Sequence, residues 1–322
     1  MPKFSPDTTR LAGITLAATI GATSLGSCGG STEQIEPFVP QRIIVLGDDS
    51  SGLEVDGRRS GINGLDASAA FDCRLLPIWT QQLAGVYGMV TDRCTTGTTV
   101  APLVTTRAVA GAKAADLDAQ IAAQLAAGQP TSKDLFTVMI GLHDIIEVYE
   151  TFAGDKACDP DPIVNTPMEE ELRARGRHVA GQVNLLIDAG ARILVSTVPD
   201  LGLSPYARTR DAASPGQAAL LTCLTATYNA RVRVDILQDG RYWGLVLADD
   251  VVAALTRVPS AYGLSNVIDA ACTTDVPDCT TATLATGASA STHLWADDRR
   301  LGPVAHTQLA AQAITRARNN PF

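Results

Sequence analysis

Three short segments carry the side chains best suited to chemistry. Gly47-Asp48-Asp49-Ser50 follows an apolar, β-branched run and Gly141-Leu142-His143-Asp144 follows another, while Asp297-Asp298-Arg299-Arg300 stands near the end with His306 beyond it. A serine hydroxyl such as that of Ser50 attacks only when a neighbouring base takes its proton. The guanidinium of Arg300 cannot do so, because it stays charged at every accessible pH. A carboxylate at Asp49 offers other chemistry, as general base or direct nucleophile. Asp49, His143 and Asp297 could together offer metal ligands, but no pair of His or Cys stands at ligand spacing, so no metal or other cofactor is expected. His178 falls among Arg173, Arg175 and Arg177, a solvated helix face, and His293 precedes Leu294-Trp295 where the chain passes from surface to core.

These segments must be positioned by the elements around them. Apolar runs rich in β-branched residues at Arg42 to Leu46, Leu135 to Ile140, Arg192 to Val198 and Trp243 to Ala248 read as buried strands. Helical patterns lie between them. Asp116 to Ala127 puts Leu117, Ile121 and Leu125 on one face and stops at Gly128. Thr166-Pro167-Met168-Glu169 has the form of a capping box with proline at the first helical position, opening a helix that runs to Gly190. Ser214-Pro215-Gly216-Gln217 repeats that pattern, and Pro303 opens a last helix ending near Asn319. Strands alternating with helices imply right-handed crossovers and a mainly parallel sheet covered on both faces, hence an α/β fold of three layers, α/β/α. Chemistry in such sheets gathers at the carboxyl edge, just after Leu46 and Ile140.

With Arg107-Ala108-Val109-Ala110-Gly111-Ala112 between the first two, the segments resemble in order and spacing the blocks of the SGNH or GDSL hydrolase family. Val198-Pro199-Asp200-Leu201-Gly202-Leu203-Ser204-Pro205 and Pro259 to Leu264 add to the likeness, which runs from Arg42 to the carboxyl terminus. The resemblance implies an SGNH-hydrolase-like, flavodoxin-like domain over residues 42–322 and ester hydrolysis. A first-block serine would be the nucleophile and a last-block histidine the base, oriented by an aspartate three residues earlier, with the oxyanion held by first-block backbone, a glycine and an asparagine. Only Gly111 and Asp297 match those positions. Asp49 stands where the serine would be, His143 where the asparagine would be, and Arg300 where the histidine would be.

Three outcomes follow. Asp49 and Arg300 can form an internal ion pair that fills the old site, because neither charge would then be buried alone. Arg300 and His143 can instead present donors to an ester, lipid or glycan ligand in a preformed cleft. Catalysis through Asp49, or through Ser50 after a one-residue slip that would seat Asp48 at the turn glycine, is the third. Losing the serine or histidine of such a triad costs on the order of 10⁶ in turnover. The leading expectation is therefore a non-catalytic or strongly impaired homologue that binds a ligand at the inherited cleft; the alternative is an active carboxylic-ester hydrolase, whether esterase, lipase or acetylesterase.

Composition narrows the setting. The chain has 322 residues with 46% hydrophobic content, and 25 Lys and Arg against 34 Asp and Glu give a net charge of -9, which disfavours a nucleic-acid partner. Lys3 and Arg10, an uncharged stretch from Leu11 to Ser27, and Leu25-Gly26-Ser27-Cys28 resemble a bacterial lipobox. That likeness implies a signal peptide over 1–27, lipid attachment at Cys28 and a tether over 28–41, so that the membrane is a partner and the protein is exported to the periplasm or cell surface. The other cysteines, Cys73, Cys94, Cys158, Cys223, Cys272 and Cys279, are even in number and suit an oxidising compartment. Sequence proximity and elimination pair Cys272 with Cys279, Cys73 with Cys94, and Cys158 with Cys223.

Overall fold

The computed structural model describes residues 37–152, 157–158 and 166–319; Cys28, the segment 1–27 and the tether before Pro37 lie outside the described residues. Five strands, β1 (Arg42–Gly47), β2 (Val104–Thr106), β3 (Asp134–Met139), β4 (Arg192–Ser196) and β5 (Trp243–Val246), form one sheet in the order β2-β1-β3-β4-β5, every pair parallel. Successive strand residues point to opposite faces. Ile44, Leu46, Phe136, Val138 and Ile193 thus enter one core, while Ile43, Val45, Leu135 and Leu194 enter another.

Helices α2 (Leu117–Ala127), α3 (Leu142–Thr151), α4 (Pro167–Asp188) and α6 (Gln217–Val234) cover the first face, and α1 (Trp79–Gly85), α7 (Ala248–Arg257) and α8 (Pro303–Asn319) cover the second. The fold is the three-layer α/β/α arrangement, and the four strands read from the sequence are all present. The fifth, β2, is only three residues long, too short for a pattern to reveal. A separate pair, β6 (Asn266–Ala270) and β7 (His293–Trp295), leads into the Asp297 segment.

The helix α4 opens as its sequence dictates. Thr166 Oγ1 accepts from the Glu169 N–H while Glu169 Oε2 accepts from the Thr166 N–H, which satisfies two amides at the helix start. The expectation for Ser214-Pro215 needs correction. The helix α6 begins later, at Gln217, after Gly216 in the left-handed region, and the Asp211 carboxylate of α5 (Pro205–Ala213) accepts from the Gly216 and Ala218 N–H groups instead. A carboxylate from the preceding helix outcompetes the local serine. Ser204-Pro205 is where the serine-cap pattern operates, with Ser204 Oγ accepting from the Ala207 N–H.

The three disulfides join Cys73 to Cys94, Cys158 to Cys223 and Cys272 to Cys279, with Cα separations of 5.8, 6.1 and 5.8 Å. The first and third tie down long loops over the carboxyl edge of the sheet.

At the end of β1, Gly47 has φ +129°, and a Cβ there would overlap the Met139 carbonyl of β3. Gly47→Ala is therefore expected to destabilise the protein by ~3 kcal/mol or more, since strain adds to overlap. The exposed Gly181→Ala on α4, which meets nothing, should be neutral or stabilising by ~0.5 kcal/mol. Thermal denaturation of the two variants beside the parent checks the contrast.

Candidate functional site

Parallel pairing with Gly47 opposite Met139 places the loop after β1 beside the start of α3. Gln120, on the buried face of α2, fixes the turn by accepting from the Gly47 N–H and donating to the Gly47 carbonyl, both at 2.8 Å. From the other layer, Trp79 Nε1 donates to the Ser50 carbonyl and Thr80 Oγ1 to the Ser51 carbonyl. Gly47 thus holds the turn and Asp49 projects from it. The third side comes from β7, whose end folds back through a bridge between Trp295 and Leu301, carrying Arg300 across to the loop.

Asp49 is fully buried at its side chain, and both oxygens are engaged. Oδ1 lies 2.7 Å from His143 Nε2, and Oδ2 accepts from Arg300 Nε. Arg300 Nη1 also donates to Asp297 Oδ2 at 2.6 Å, while Asp297 Oδ1 accepts from the Arg299 and Arg300 backbone N–H groups. His143 and Arg300 keep only a small exposed part, 17% and 20% of their side chains.

Burial pushes Asp49 up, but the hydrogen bond from His143 and the charge of Arg300 outweigh it and hold the carboxyl down at about 2. Burial lowers His143, and the bond to Asp49 more than reverses this, so the imidazole binds its proton more tightly than usual. Burial opposes the charge on Arg300, which Asp49 and Asp297 together keep firmly in place.

Asp48 is the opposite case. It is buried, its Oδ1 accepts from the Ser50 N–H at 2.9 Å, and Oδ2 has no partner among the described residues. Burial first, then the charge of Asp49, raises it from 3.8 to about 7.

The remaining candidates fall as follows. The Ser50 hydroxyl makes no hydrogen bond to a histidine among the described residues, and the nearby His143 Nε2 is bonded to Asp49. Gly47 is the last residue of β1, paired with Met139 at φ +129°, and Asp48, Asp49 and Ser50 follow it into the turn. Gly111, at φ +77°, lies exposed in the turn after β2. The Arg300 guanidinium, and not a metal ion, bridges Asp49 and Asp297, and no cluster of three or more His, Cys, Asp or Glu among the described residues is placed to hold a metal. His306 is buried with Nδ1 unpartnered among the described residues, and burial, helped by Arg59, lowers it to about 3. His178 pairs with Asp118 at the surface, and His293 is buried in β7 against Thr292.

Two hollows flank the cluster. One of about 550 Å³ is lined by Thr273, Thr274, Asp275, Asp297, Arg299 and Arg300, the other of about 410 Å³ by Gly111, Lys113, His143, Glu147 and Glu150. A third, of about 490 Å³ between α7 and α8, shares no residue with the site. Sequence reasoning missed Gln120 and the burial of Asp48. Gln120 was detectable as a polar residue on the apolar stripe of Leu117 and Ile121.

No protein-family model and no curated protein sequence matches this chain. Solved structures do. An acetylxylan esterase, Axe2, from Geobacillus stearothermophilus aligns at 12% identity and TM-score 0.44, covering 87% of this chain and 95% of that one. A member of the lipolytic G-D-S-L family from Veillonella parvula aligns at 8% identity and TM-score 0.42, covering 85% and 96%. A GDSL-like lipase from Parabacteroides merdae aligns at 12% identity and TM-score 0.41, covering 87% and 98%.

The two acids predict opposite pH effects. The folded state binds the Asp48 proton more tightly than the unfolded chain, so this stabilisation is complete below about 4 and lost as pH rises through about 7. The proton on His143 acts in the same direction. Asp49 has the reverse sign, stabilising above its ordinary value and failing as pH falls toward 2. The thermal midpoint should therefore fall by several degrees between about pH 5 and pH 8, and Asp48→Asn should remove most of that slope. Arg300→Ala leaves Asp49 with one fewer counter-charge and should cost ~3 kcal/mol, read by urea unfolding at pH 7.

Proposed function

We propose that this protein is an exported, Cys28-acylated homologue of the SGNH or GDSL hydrolases that binds an ester, lipid or glycan ligand at its cleft without hydrolysing it. One observation carries the reading: the Asp49 carboxylate, at the attacking position, is clasped between His143 and Arg300. A carboxylate held down at about 2, with both oxygens engaged, is a poor nucleophile toward an acyl carbon. The imidazole beside it is engaged with Asp49 through Nε2, and Arg300 stays charged and takes no proton from water or from Ser50.

Binding needs less. Arg299, Arg300 and the hydroxyls of Thr273 and Thr274 border one hollow, and Lys113 with the exposed edge of His143 borders the other. Such donors match the oxygens of an ester, phosphate or sugar. The three disulfides support export, because such bonds persist in oxidising compartments. The acyl group at Cys28 rests on the lipobox-like residues.

A serine-directed fluorophosphonate and a short-chain aryl ester test the absence of hydrolysis. The expected result is no labelling and no turnover above background. Labelling at Ser50, with turnover abolished by Ser50→Ala, would overturn the reading in favour of a working esterase.

A further inference from the structure

We propose that the amino edge of the sheet, opposite the cleft, is a face that rests on an anionic lipid surface; this rests on the reading that Cys28 is acylated. All five strands run parallel, so their starts share one edge. Four of them begin at a cation: Arg42 opens β1, Lys133 precedes β3, Arg192 opens β4 and Arg241 stands two residues before β5. Adjacent strands lie about 4.8 Å apart. The cations therefore form a row along one side of a chain whose net charge is -9.

Exposed apolar side chains share that edge. Val39 precedes β1 and Leu103 precedes β2. The helices α4 and α6 return from the carboxyl edge and bring Leu185, Val234 and Leu237 down beside them, all exposed. The side chain of Asn184 donates to the Asp235 carbonyl at 3.0 Å and accepts from the Leu237 N–H at 2.8 Å, which gathers these three residues together. Of the acids nearby, Asp134, Asp235 and Asp239 are paired with Arg42, Arg231 and Arg241, while Asp188 is exposed. Apolar side chains interspersed with cations are the composition that suits the headgroup region of an anionic bilayer.

Chain connectivity selects lipid as the occupant. Pro37 leads into β1 at this edge, with the Gln41 N–H donating to the Lys133 carbonyl. Cys28 stands nine positions before Pro37, a reach of at most about 30 Å. An acyl group at Cys28 therefore holds the folded body to the bilayer through the edge that carries the cations and the exposed leucines. The cleft at the opposite edge then opens away from the membrane, toward ligands in solution or on a neighbouring polymer.

The test uses the full acylated protein on vesicles of phosphatidylglycerol and phosphatidylcholine, with pure phosphatidylcholine vesicles for comparison. Hydrogen exchange of amides near 185–190 and 236–242 is expected to slow by about fivefold on the anionic vesicles only. Leu185→Glu with Leu237→Glu should remove that protection while the protein still floats with the vesicles. Lys133→Glu with Arg241→Glu should do the same and guards against a folding defect in the first pair. Flotation without protection at this edge overturns the face alone. Failure to float, with an intact mass showing no acyl group, overturns the anchor reading and the face with it.

Discussion

A single buried carboxylate sets the terms for the rest of the site. Asp49 has no access to water, so its charge survives only because His143 and Arg300 each give it a donor. Those donors come from different parts of the chain, one from the start of α3 and one from the turn after β7. Each must be held in place for the other to be useful, and the surrounding contacts do that. Asp297 fixes the Arg300 turn through two backbone N–H groups, and Gln120 fixes the backbone at Gly47. A buried ion set of this kind gives little net stability compared with apolar packing, yet removing one member is costly.

The same charge arrangement explains why two adjacent aspartates behave so differently. Asp49 has a side-chain donor on each oxygen, one of them the charged Arg300, whereas Asp48 has a backbone donor and a like charge next door. One is therefore an obligatory anion and the other a buried acid that keeps its proton toward neutrality. The outcome is decided by where donors lie within about 3 Å, not by residue type. A three-layer sheet supplies this geometry because neighbouring parallel strands end side by side, at the edge where the chemistry of such folds collects.

The edges of the sheet have different characters for related reasons. At the carboxyl edge, long loops pinned by disulfides close over charged groups and leave polar hollows. At the amino edge, cations stand at strand starts beside exposed apolar residues. Fold alone does not assign function. The composition of each edge carries the functional argument here.

Sequence alone determined the four longer strands, the Thr166 capping box, the order of the site segments and the identity of the residues at each seat, because hydrophobic period, local hydrogen-bond competition and residue type are written into short stretches of chain. It could not reveal β2, which is too short to show a period, nor the start of α6, where Asp211 on the preceding helix displaces the local serine. The cysteine pairing was guessed from proximity, and only folding brings Cys158 to Cys223 across 65 positions. Of the three outcomes left open for Asp49 and Arg300, tertiary structure decided that they meet, with His143 completing the set. Charge pairing over 251 positions depends on strand order and loop closure, which no local pattern encodes.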